Sequence, residues 1–492
     1  PRIVLNRMKL LKEILYGTRI HDIVGNTHVA IEDIAFDSRE VKAFSLFVAI
    51  PGTRVNGFEF IEQAIEKGAT AIVAEQLPET TQNHVTYVRV QDAAEALGKM
   101  ASTFFDDPSE TLKIVAVTGT NGKTTTVSLL HRLFRSMDRR AGMLSTVENR
   151  ILDRVVPASH TTPDALQMQR LFREMADAGC KYVFMEASSH SIDQKRLAGT
   201  KLTGAVFTNI THEHLDYHGD FNSYIQAKKG LFDALPQDGF ALYNQDDSHG
   251  PDMVMDCKGR IRDYALTSMA DYRGRVVENH LGGLQLHLNG HDLYSRLIGG
   301  FNAYNLLSVF AVALELGMED MEVLTHLSLL KPPAGRFEQV LAPEGITAVV
   351  DYAHTPDALD NVLKTIDSFR SGTTQVITVV GCGGNRDKTK RPIMARVAAK
   401  WSDRVFLTSD NPRDEEPDAI IADMRAGLDP IEIKKCIAIS DRREAIRMAA
   451  QLAAQGDILL VAGKGHETYQ EIKGVRYEFD DREELLNAFN HA

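Results

Sequence analysis

The chain has 492 residues and a net charge of −12, and its hydrophobic and charged fractions of 43% and 25% are ordinary for a globular protein. This length predicts about two to four domains. The acidic balance argues against general nucleic-acid binding, which requires a basic surface. No apolar run reaches the ~18 residues of a membrane span and no secretion signal opens the chain, so we expect a cytoplasmic protein without membrane insertion. The 4 cysteines lack metal-ligand or disulfide spacing, which fits free thiols in a reducing compartment.

The first predicted domain covers residues 1–108 and mixes short strands with helices. A helix is predicted over residues 60–67, and strands over 31–36, 46–50, 71–74 and 85–90. Residues 107–109, with the sequence DPS, are typical of a linker.

Residues 118–125, with the sequence TGTNGKTT, carry the strongest chemical signal in the chain. They follow an apolar strand pattern over 114–117 and precede a helix pattern over 126–136. A strand, a glycine-rich turn with Lys-Thr and a helix predict a phosphate-binding loop, in which backbone N–H groups and the helix N-terminus hold phosphate oxygens. Lys123 adds a point charge, and the Thr124 hydroxyl is suited to Mg²⁺. The two glycines stand closer together than in the full Walker pattern.

The second predicted domain covers residues 109–335. Strand patterns over 182–186, 204–208 and 239–243 alternate there with helix patterns. This alternation predicts a mostly parallel, doubly wound sheet, with the phosphate loop at the carboxyl end of a strand.

Two polar stretches of this domain carry groups that can bind metal ions. Glu186 ends a predicted strand and suits Mg²⁺ beside a phosphate loop, although a strand-end turn capped by serine explains the same residues equally well. Residues 212–218, HEHLDYH, lack a further ligand at zinc spacing. A loop beside nucleotide phosphates is therefore favoured over a zinc site, and a plain polar loop stays open.

Two other stretches leave two interpretations each. Residues 244–247, NQDD, follow a predicted strand and fit either a turn or a nucleotide contact. Asn302 and Asn305 precede a helix predicted over 306–316. They either cap this helix or read an adenine edge with their amides.

The third predicted domain covers residues 336–492, after a hinge at KPPAG, residues 331–335. Strands are predicted over 376–380, 404–408, 436–439 and 458–462, with helices over 392–401, 418–427 and 442–454. The pattern predicts a Rossmann-like domain. It lacks GxGxxG, so no dinucleotide is implied.

Four polar segments follow apolar strands in this third domain, namely residues 351–357, 381–388, 410–413 and 463–467. Ligands of doubly wound sheets bind at the carboxyl ends of the strands. Each segment alone fits an ordinary turn, but together the four predict one binding site.

Five motifs, in this order, resemble those of the Mur ligases: TGTNGKT at 118–124, EASSH at 186–190, HLDYH at 214–218, GRFE at 335–338 and DYAHTPD at 351–357. The Mur ligases are ATP-dependent amide ligases that build the peptide stem of bacterial peptidoglycan. The segments DNPR at 410–413 and GKGHE at 463–467 are similar to those of the members that add the third residue of the stem. The resemblance covers essentially the whole chain.

The resemblance implies a monomeric ligase that adds meso-2,6-diaminopimelate to UDP-N-acetylmuramoyl-L-alanyl-D-glutamate, with ATP as co-substrate and Mg²⁺ as cofactor. It implies a UDP-substrate-binding N-terminal domain, an ATP-binding central domain and an amino-acid-binding C-terminal domain. The alternatives are a sister ligase that adds L-lysine, a more distant folylpolyglutamate synthase, and a nucleotide-binding switch that makes no bond.

The resemblance also implies the residues of each site. Catalysis would involve Lys123, Glu186, His214 and Lys228, and the metal would contact Thr124, Glu186, His214 and Lys228. Lys228 matches a lysine that relatives carry as an N-carbamate, a long-armed carboxylate. ATP would contact Gly119, Thr120, Asn121, Gly122, Lys123, Thr124, Thr125, Asn302, Asn305, Arg336, Asp351 and His354. The UDP substrate would contact Ser38, Thr161, Thr162, Ser188, Gln194 and Arg196. Diaminopimelate would contact Arg386, Asp410, Asn411, Arg413, Gly463 and Glu467.

Overall fold

The computed structural model describes residues 8–52, 56–157, 161–211, 220–343 and 345–490. Within these residues the chain forms three α/β domains, each built on its own main sheet. The predicted α/β class with three domains is confirmed, and the predicted domain bounds stay predictions. No helix in the described part of the chain has the length and apolar character needed to cross a membrane.

The N-terminal domain is a five-stranded sheet in the order β2-β7-β6-β5-β4, parallel except for the edge strand β2. Its strands are β1 (Lys9–Leu10), β2 (Ile20–Val24), β3 (Ala30–Ile31), β4 (Asp33–Ala35), β5 (Ser45–Ala49), β6 (Ala69–Ala74) and β7 (Thr86–Val90). Its helices are α1 (Leu11–Ile14), α2 (Ile61–Glu66) and α3 (Ala93–Phe104). Strands β1 and β3 form a separate antiparallel pair.

The central domain contains an eleven-stranded sheet in the order β11-β10-β9-β12-β8-β13-β14-β15-β16-β17-β18. Its strands are β8 (Lys113–Thr118), β9 (Ala141–Leu144), β10 (Asn149–Ile151), β11 (Arg154–Val156), β12 (Tyr182–Glu186), β13 (Gly204–Phe207), β14 (Phe240–Asn244), β15 (Arg260–Ala265), β16 (Tyr272–His280), β17 (Gly283–Leu288) and β18 (His291–Ser295). Its helices are α4 (Lys123–Ser136), α5 (Ala165–Asp177), α6 (Ser189–Asp193), α7 (Phe221–Asp233), α8 (Gly250–Val254), α9 (Gly300–Glu315) and α10 (Asp320–Ser328).

The middle of this sheet is doubly wound, as predicted. Strands β9, β12, β8, β13, β14, β15 and β16 are parallel neighbours. Alternate residues of β8 enter two different cores, because successive side chains of a strand point to opposite faces. Val115 and Val117 pack with helices α4 and α9, whereas Ile114 and Ala116 pack with α5 and α7.

Both ends of the central sheet are antiparallel, which the sequence analysis did not predict. Strands β9, β10 and β11 form one antiparallel end, and β16, β17 and β18 form the other. The turn between β17 and β18 is Asn289-Gly290, with φ angles of 43° and 92°. Asn-Gly between alternating apolar residues is a strong hairpin signal, so the sequence contained the information needed to find this pair.

The C-terminal domain is a six-stranded sheet in the order β19-β20-β24-β21-β22-β23, parallel except for β19. Its strands are β19 (Glu338–Val340), β20 (Thr347–Asp351), β21 (Val376–Cys382), β22 (Arg404–Ser409), β23 (Cys436–Ala438) and β24 (Ile458–Ala462). Strands β25 (Tyr469–Ile472) and β26 (Val475–Glu478) form a separate hairpin. The helices are α11 (Pro356–Asp367), α12 (Lys390–Trp401), α13 (Pro417–Arg425), α14 (Pro430–Lys435), α15 (Arg442–Leu452) and α16 (Asp481–Asn490).

Two predicted helices begin earlier in the structure than in the sequence analysis. Helix α4 begins at Lys123 rather than residue 126, because Gly122, with φ of 89°, turns the chain directly into the helix. Helix α9 begins at Gly300 rather than residue 306, after Gly299 with φ of 96°. Asn302 and Asn305 therefore lie inside the helix, and the interpretation that they cap it is wrong.

The predicted linker at residues 107–109 is not an exposed spacer. Pro108–Glu110 forms a 3₁₀-helix, and Pro108 and Ser109 are buried. The Ser109 hydroxyl oxygen accepts a hydrogen bond from Lys201 N at 3.1 Å, which ties this segment to the central domain.

Candidate active site

The phosphate loop, residues 118–125, joins β8 to α4 as predicted, and two of its glycines are required by its shape. Gly119 and Gly122 have φ angles of 150° and 89°, a region that side chains disfavour. A Cβ on Gly119 would collide with Thr208 Oγ1, and one on Gly122 would lie 2.6 Å from Asn305 Oδ1. The loop therefore packs directly against the end of β13 and against helix α9.

Asn209, which the sequence analysis missed, holds the loop from its β13 side. Thr120 N donates to the Asn209 backbone oxygen at 2.8 Å, and Asn121 N donates to Asn209 Oδ1 at 2.9 Å. The Thr120 hydroxyl lies 3.2 Å from the buried Tyr224 hydroxyl. A polar residue directly after a parallel strand was the available signal for Asn209.

Two lysine ammonium groups converge on the carbonyl oxygen of Gly119. Lys123 Nζ donates to it at 2.8 Å, and Lys228 Nζ donates to it at 3.0 Å. Lys228 is 1% exposed and its Nζ lies 4.6 Å from the centre of the Tyr224 ring. The interpretation of Lys228 as a solvated surface lysine is therefore wrong. This concentration of positive charge gives an acidic chain a local site for an anion.

Lys229, the neighbour of Lys228, points elsewhere. Its Nζ donates to Asp233 Oδ1 at 2.8 Å and to Asp256 Oδ2 at 2.5 Å. The structure thus separates two lysines that the sequence alone could not rank, because only one face of helix α7 meets the phosphate loop.

Glu186 ends β12 and is buried, with 1% of its surface exposed. Its Oε1 accepts from Thr146 N at 2.8 Å and its Oε2 accepts from the Thr146 hydroxyl at 3.1 Å. Strand β12 is the parallel neighbour of β8, so the carboxylate and the phosphate loop share one edge of the sheet. Hard carboxylate and hydroxyl oxygens at such an edge fit the ligand chemistry of Mg²⁺.

Four of the residues predicted for the UDP substrate lie together beside Glu186. The Thr162 hydroxyl donates to the Glu186 backbone oxygen at 2.9 Å and accepts from Ser188 N at 3.3 Å. Arg196 Nη1 donates to the backbone oxygen of Thr162 at 2.7 Å, and Arg196 Nη2 donates to Gln194 Oε1 at 2.7 Å. Thr161 directly precedes this group in the chain.

Ser38, the remaining residue predicted for that substrate, lies apart from this group in the N-terminal domain. Its hydroxyl donates to Gln63 Oε1 at 2.7 Å, and its backbone oxygen accepts from Lys67 Nζ at 3.0 Å. The structure therefore does not join Ser38 to the group around Thr162 by direct contact.

Asn302 and Asn305 are buried in helix α9, and both form side-chain hydrogen bonds. Asn302 Nδ2 donates to the Ile298 oxygen at 2.7 Å, and Asn305 Nδ2 donates to Asn302 Oδ1 at 3.0 Å. Thr126 Oγ1 donates to Asn305 Oδ1 at 3.5 Å, which links α9 to α4. Their predicted role at adenine stays a prediction.

The stretch at residues 244–247 is a structural turn. Asp246 accepts hydrogen bonds from Leu266 N and Thr267 N at 2.7 and 2.9 Å, and from the Tyr304 hydroxyl at 2.9 Å. Against the cost of burial, hydrogen bonds from Thr267, Ser268 and the backbone N of Leu266 hold the pKa of Asp246 far below its usual range. Its carboxylate oxygens are occupied by these donors, so the turn interpretation is favoured over a nucleotide contact.

The phosphate loop contacts the C-terminal domain directly. Arg336 Nη2 donates to Thr124 Oγ1 at 3.1 Å, and Asn121 Nδ2 donates to Asp357 Oδ2 at 2.8 Å. Asp351 accepts from Phe337 N at 2.6 Å, which fixes the chain next to Arg336. Burial raises the pKa of Asp351, and the nearby Arg336 charge opposes this rise.

The polar segments predicted to converge do so. Asp351 at the end of β20 pairs with Ala462 at the end of β24, and Cys382 at the end of β21 pairs with Ser409 at the end of β22. All four strands are parallel neighbours, so the segments that follow them meet at one edge.

Lys464, which the sequence analysis missed, organises this edge. Its side chain is fully buried, and its Nζ donates to Asn411 Oδ1 at 3.0 Å and to Glu467 Oε2 at 3.2 Å. Asp410 Oδ1 lies 3.5 Å away. Asn411 Nδ2 donates to Glu467 Oε2 at 2.8 Å, so three predicted residues meet around one ammonium group. A lysine between the two glycines of GKGHE was the available signal.

Arg413 is held by both its backbone and its side chain. Its φ angle is 51°, its N donates to the Glu471 oxygen at 3.0 Å, and its oxygen accepts from Lys473 N at 2.7 Å. Arg413 Nη1 donates to the Gly384 oxygen at 2.7 Å. A Cβ on Gly383 would lie 3.0 Å from Arg413 Nη1 and 3.7 Å from Cγ of the exposed Arg386, so both predicted arginines flank this glycine.

The remaining predicted residues are placed as follows. His354 Nδ1 lies 2.9 Å from the Tyr352 oxygen, and Gly463, with φ of 119°, donates from its N to the Asp351 oxygen at 3.0 Å. Thr125 is buried in the first turn of α4. His214, and with it the stretch at 212–218, lies outside the described residues. Among those that are described, no group of three or more His, Cys, Asp or Glu side chains forms a metal cluster.

Fold and site together define the class of the chain as a three-domain α/β protein with a phosphate-binding loop facing its C-terminal domain. Three family models match it in succession: Mur ligase family, catalytic domain, over residues 30–105; Mur ligase middle domain over 117–313; and Mur ligase, glutamate ligase domain, over 335–465. The chain belongs to the Mur ligase family.

Curated relatives match over nearly the full length. The UDP-N-acetylmuramoyl-L-alanyl-D-glutamate–2,6-diaminopimelate ligase of Bacteroides thetaiotaomicron is 52% identical over 481 residues, covering 98% of this chain and 100% of the relative. The enzyme of the same name from Cytophaga hutchinsonii is 52% identical over 482 residues, covering 97% and 99%. A solved structure of a protein with that name is 35% identical, with a TM-score of 0.69, covering 98% of this chain and 99% of that structure.

Proposed function

We propose that this chain is the ATP-dependent ligase that adds meso-2,6-diaminopimelate to UDP-N-acetylmuramoyl-L-alanyl-D-glutamate in peptidoglycan synthesis. The observation that carries the proposal is the 3.1 Å hydrogen bond from Arg336 to Thr124, which joins the phosphate loop to the domain that contains Arg413. A ligase that activates one substrate and then joins it to another needs both sites within reach of each other. The names of relatives at 52% identity support the substrates.

The first step makes a leaving group. A free carboxylate does not condense with an amine, so the D-glutamyl γ-carboxylate attacks the γ-phosphorus of ATP, which forms an acyl phosphate and releases ADP. The loop N–H groups and the Lys123 ammonium hold the phosphate oxygens and balance their charge. Positioning and electrostatic stabilisation supply most of the rate of phosphoryl transfer.

The second step forms the amide. The amine of diaminopimelate attacks the acyl carbon, a tetrahedral intermediate forms, and phosphate leaves as the nitrogen loses its proton. Closure of the C-terminal domain over the central domain keeps water from the acyl phosphate. The residues that bind diaminopimelate in this proposal are Arg386, Asp410, Asn411, Arg413, Gly463 and Glu467.

The donor groups at the sheet edge fit Mg²⁺. Thr124 and Glu186 offer a hydroxyl and a carboxylate, and His214 and a carbamate on Lys228 complete the proposed set. Bound Mg²⁺ supplies charge neutralisation for the phosphate oxygens. The burial of Lys228 against the phosphate loop supports the carbamate, because burial favours the neutral amine. That amine can form a bond to the carbon of CO₂ and lose a proton, which leaves a carbamate with oxygen ligands.

The other proposed contacts follow the same division of the chain. The UDP substrate contacts Ser38, Thr161, Thr162, Ser188, Gln194 and Arg196. ATP contacts residues 119–125, together with Asn302, Asn305, Arg336, Asp351 and His354. The monomeric state and the cytoplasmic location remain predictions.

A competition assay tests the proposal. The purified chain is given ATP, Mg²⁺, the UDP-muramoyl dipeptide and equal amounts of meso-diaminopimelate and L-lysine, and products are identified by mass spectrometry. We expect the diaminopimelate product, with ADP formed only when both the dipeptide and the amino acid are present. Predominant lysine product would favour the sister ligase, and ADP release without either substrate would favour an ATPase or switch.

A further inference from the structure

Tyr352 lies directly after β20, between the residues proposed for ATP and those proposed for diaminopimelate. Its ring centre is 4.7 Å from Cζ of Arg336 and 4.6 Å from the ring centre of His354. On another side, the ring centre of His466 lies 4.9 Å away. The proposed roles above assign no task to Tyr352 or to His466.

The backbone around this ring leaves little room for movement. Tyr352 N donates to the Gly335 oxygen at 2.9 Å. A Cβ on Gly465 would lie 2.6 Å from Cβ of Tyr352, and a Cβ on Gly335 would collide with the backbone N of His466. Burial lowers the pKa of His466 to about 3, so its ring packs against Tyr352 as a neutral group. Three chain segments are therefore packed against one aromatic ring.

On the nucleotide side, the ring faces the guanidinium of Arg336. Arg336 Nη2 reaches Thr124 in the phosphate loop, whereas Arg336 Nε is buried without a hydrogen-bond partner among the described residues. A cation above an aromatic face is attracted by the negative face of the ring. The Tyr352 ring thus restricts the orientation of the Arg336 guanidinium group.

On the amino-acid side, the Tyr352 hydroxyl faces Glu467. It donates to Glu467 Oε1 at 3.4 Å, while the other carboxylate oxygen accepts from Asn411 and Lys464. Burial raises the pKa of Tyr352 well above its usual range, so the hydroxyl keeps its proton and remains a donor. The carboxylate is thereby oriented at both of its oxygens.

We propose that Tyr352 is a positioning residue shared by the nucleotide and amino-acid sites, with its ring orienting Arg336 and its hydroxyl orienting Glu467. This inference deepens the proposed function and rests on it for the identity of the two substrates. The two parts of the side chain serve different substrates, so two substitutions separate their effects.

Tyr352→Phe keeps the ring and removes the hydroxyl. We expect the KM for diaminopimelate to rise about three- to tenfold, as for the loss of one hydrogen bond of ordinary strength. The dissociation constant of β,γ-methylene-ATP, measured by calorimetry, should stay within about twofold of the parent because the cation–π contact remains.

Tyr352→Leu removes both parts. We expect the dissociation constant of β,γ-methylene-ATP to rise about three- to tenfold, together with the KM for diaminopimelate. Tyr294 is 64% exposed on β18, so Tyr294→Phe and Tyr294→Leu are matched controls that should change neither quantity. Melting temperatures of all four variants show whether each one folds.

Tight analogue binding by a folded Tyr352→Leu would overturn the inference, and so would an unchanged KM for diaminopimelate in Tyr352→Phe. Equal loss of both quantities in the two Tyr352 variants would also overturn it, since that pattern indicates general destabilisation. If Tyr352→Leu fails to fold, Tyr352→Phe still tests the inference, because its KM for diaminopimelate should rise while its dissociation constant for the analogue stays unchanged. Absence of ligation by the parent chain would instead refute the proposed function, and analogue binding would still report on Arg336.

Discussion

Lys123 is the residue whose charge the phosphate loop depends on most directly. Its Nζ lies 2.8 Å from the Gly119 oxygen, folded over the loop that would hold the phosphates. We expect Lys123→Ala to lower kcat by about 10²–10³-fold, comparable to the loss of one preorganised donor at a developing charge. A coupled-enzyme assay of ADP release, with the dipeptide and the amino acid both present, measures this kcat. Lys258 is exposed in the same domain, so Lys258→Ala is the control. Normal turnover by Lys123→Ala would refute the phosphate-loop assignment.

Lys228 offers a second test at the level of single residues. If it carries a carbamate, Lys228→Ala should be nearly inactive, and added acetate or formate should partly restore activity by supplying the missing oxygens. After incubation with ¹³C-bicarbonate, the parent should show a carbamate carbon signal by NMR that the variant lacks. Lys229→Ala is the control, because Lys229 pairs with Asp233 and Asp256 instead. A fully active parent with an unmodified Lys228 amine would contradict the carbamate.

Arg413 should determine the choice of amino acid. Meso-diaminopimelate differs from lysine by a carboxylate on its distal carbon, which a guanidinium grips through two hydrogen bonds. Binding lysine would leave Arg413 without this partner, at a cost of roughly 1–3 kcal/mol. We expect Arg413→Ala to raise the KM for diaminopimelate and to abolish the preference over lysine.

The role of Arg413 is checked by measuring kcat/KM for diaminopimelate and for lysine, in the parent and in Arg413→Ala. Arg404→Ala is the control, because Arg404 is exposed at the opposite end of β22. Equal use of lysine by the parent would promote the lysine-adding alternative.

At the level of elements, helix α4 contains a buried histidine that makes stability depend on pH. Burial lowers the pKa of His131 to about 4, and its Nε2 lies 3.1 Å from the Leu152 oxygen. The histidine is neutral in the folded chain but gains a proton below pH ~6.5 when unfolded. The contribution of neutral His131 to the free energy of unfolding is therefore fully present above pH ~6.5. It falls by up to about 1.4 kcal/mol per pH unit between pH ~6.5 and ~4.

Urea unfolding of the full chain at pH 7.5 and 5.5 measures this dependence. We expect the parent to lose more stability between the two values than His131→Gln, whose side chain does not titrate. Other groups also titrate in this range, so the difference between parent and variant is the quantity of interest. If the free energy of unfolding changes equally with pH in the parent and in His131→Gln, His131 does not contribute to the pH dependence.

For the whole molecule, the N-terminal and central domains meet backbone to backbone at Gly98 of α3. A Cβ at this position would collide with the Ala198 oxygen of the central domain. In an isolated helix, Gly→Ala stabilises by about 1 kcal/mol. Here we expect Gly98→Ala to destabilise the chain, because overpacking costs about 1–3 kcal/mol.

Thermal unfolding checks the sign of this effect. Gly230→Ala in α7 is the control, since among the described residues a Cβ there would meet only Ile192 Cγ2, at 3.4 Å. A higher melting temperature for Gly98→Ala would show that the contact between the two domains is loose.

The α/β class and the phosphate loop could be predicted from the sequence, because both depend on local order along the chain. Strand, glycine turn, Lys-Thr and helix are contiguous, and the central strands β12 and β24 were predicted with the bounds that the structure has. Its polar strand ends also predicted one site, since parallel neighbours bring their carboxyl ends together.

Which of the candidate side chains contact each other became clear from the packing of the helices and strands. Lys228 and Lys229 are adjacent and identical in type, and helix packing buries one against Gly119 while the other pairs with two aspartates. The contacts of Lys464 and Tyr352 join segments far apart in the chain. A local pattern can therefore mark such a residue but does not reveal its partners. Spacing along the chain predicts which residues share an element, whereas contacts between elements depend on how their buried faces pack.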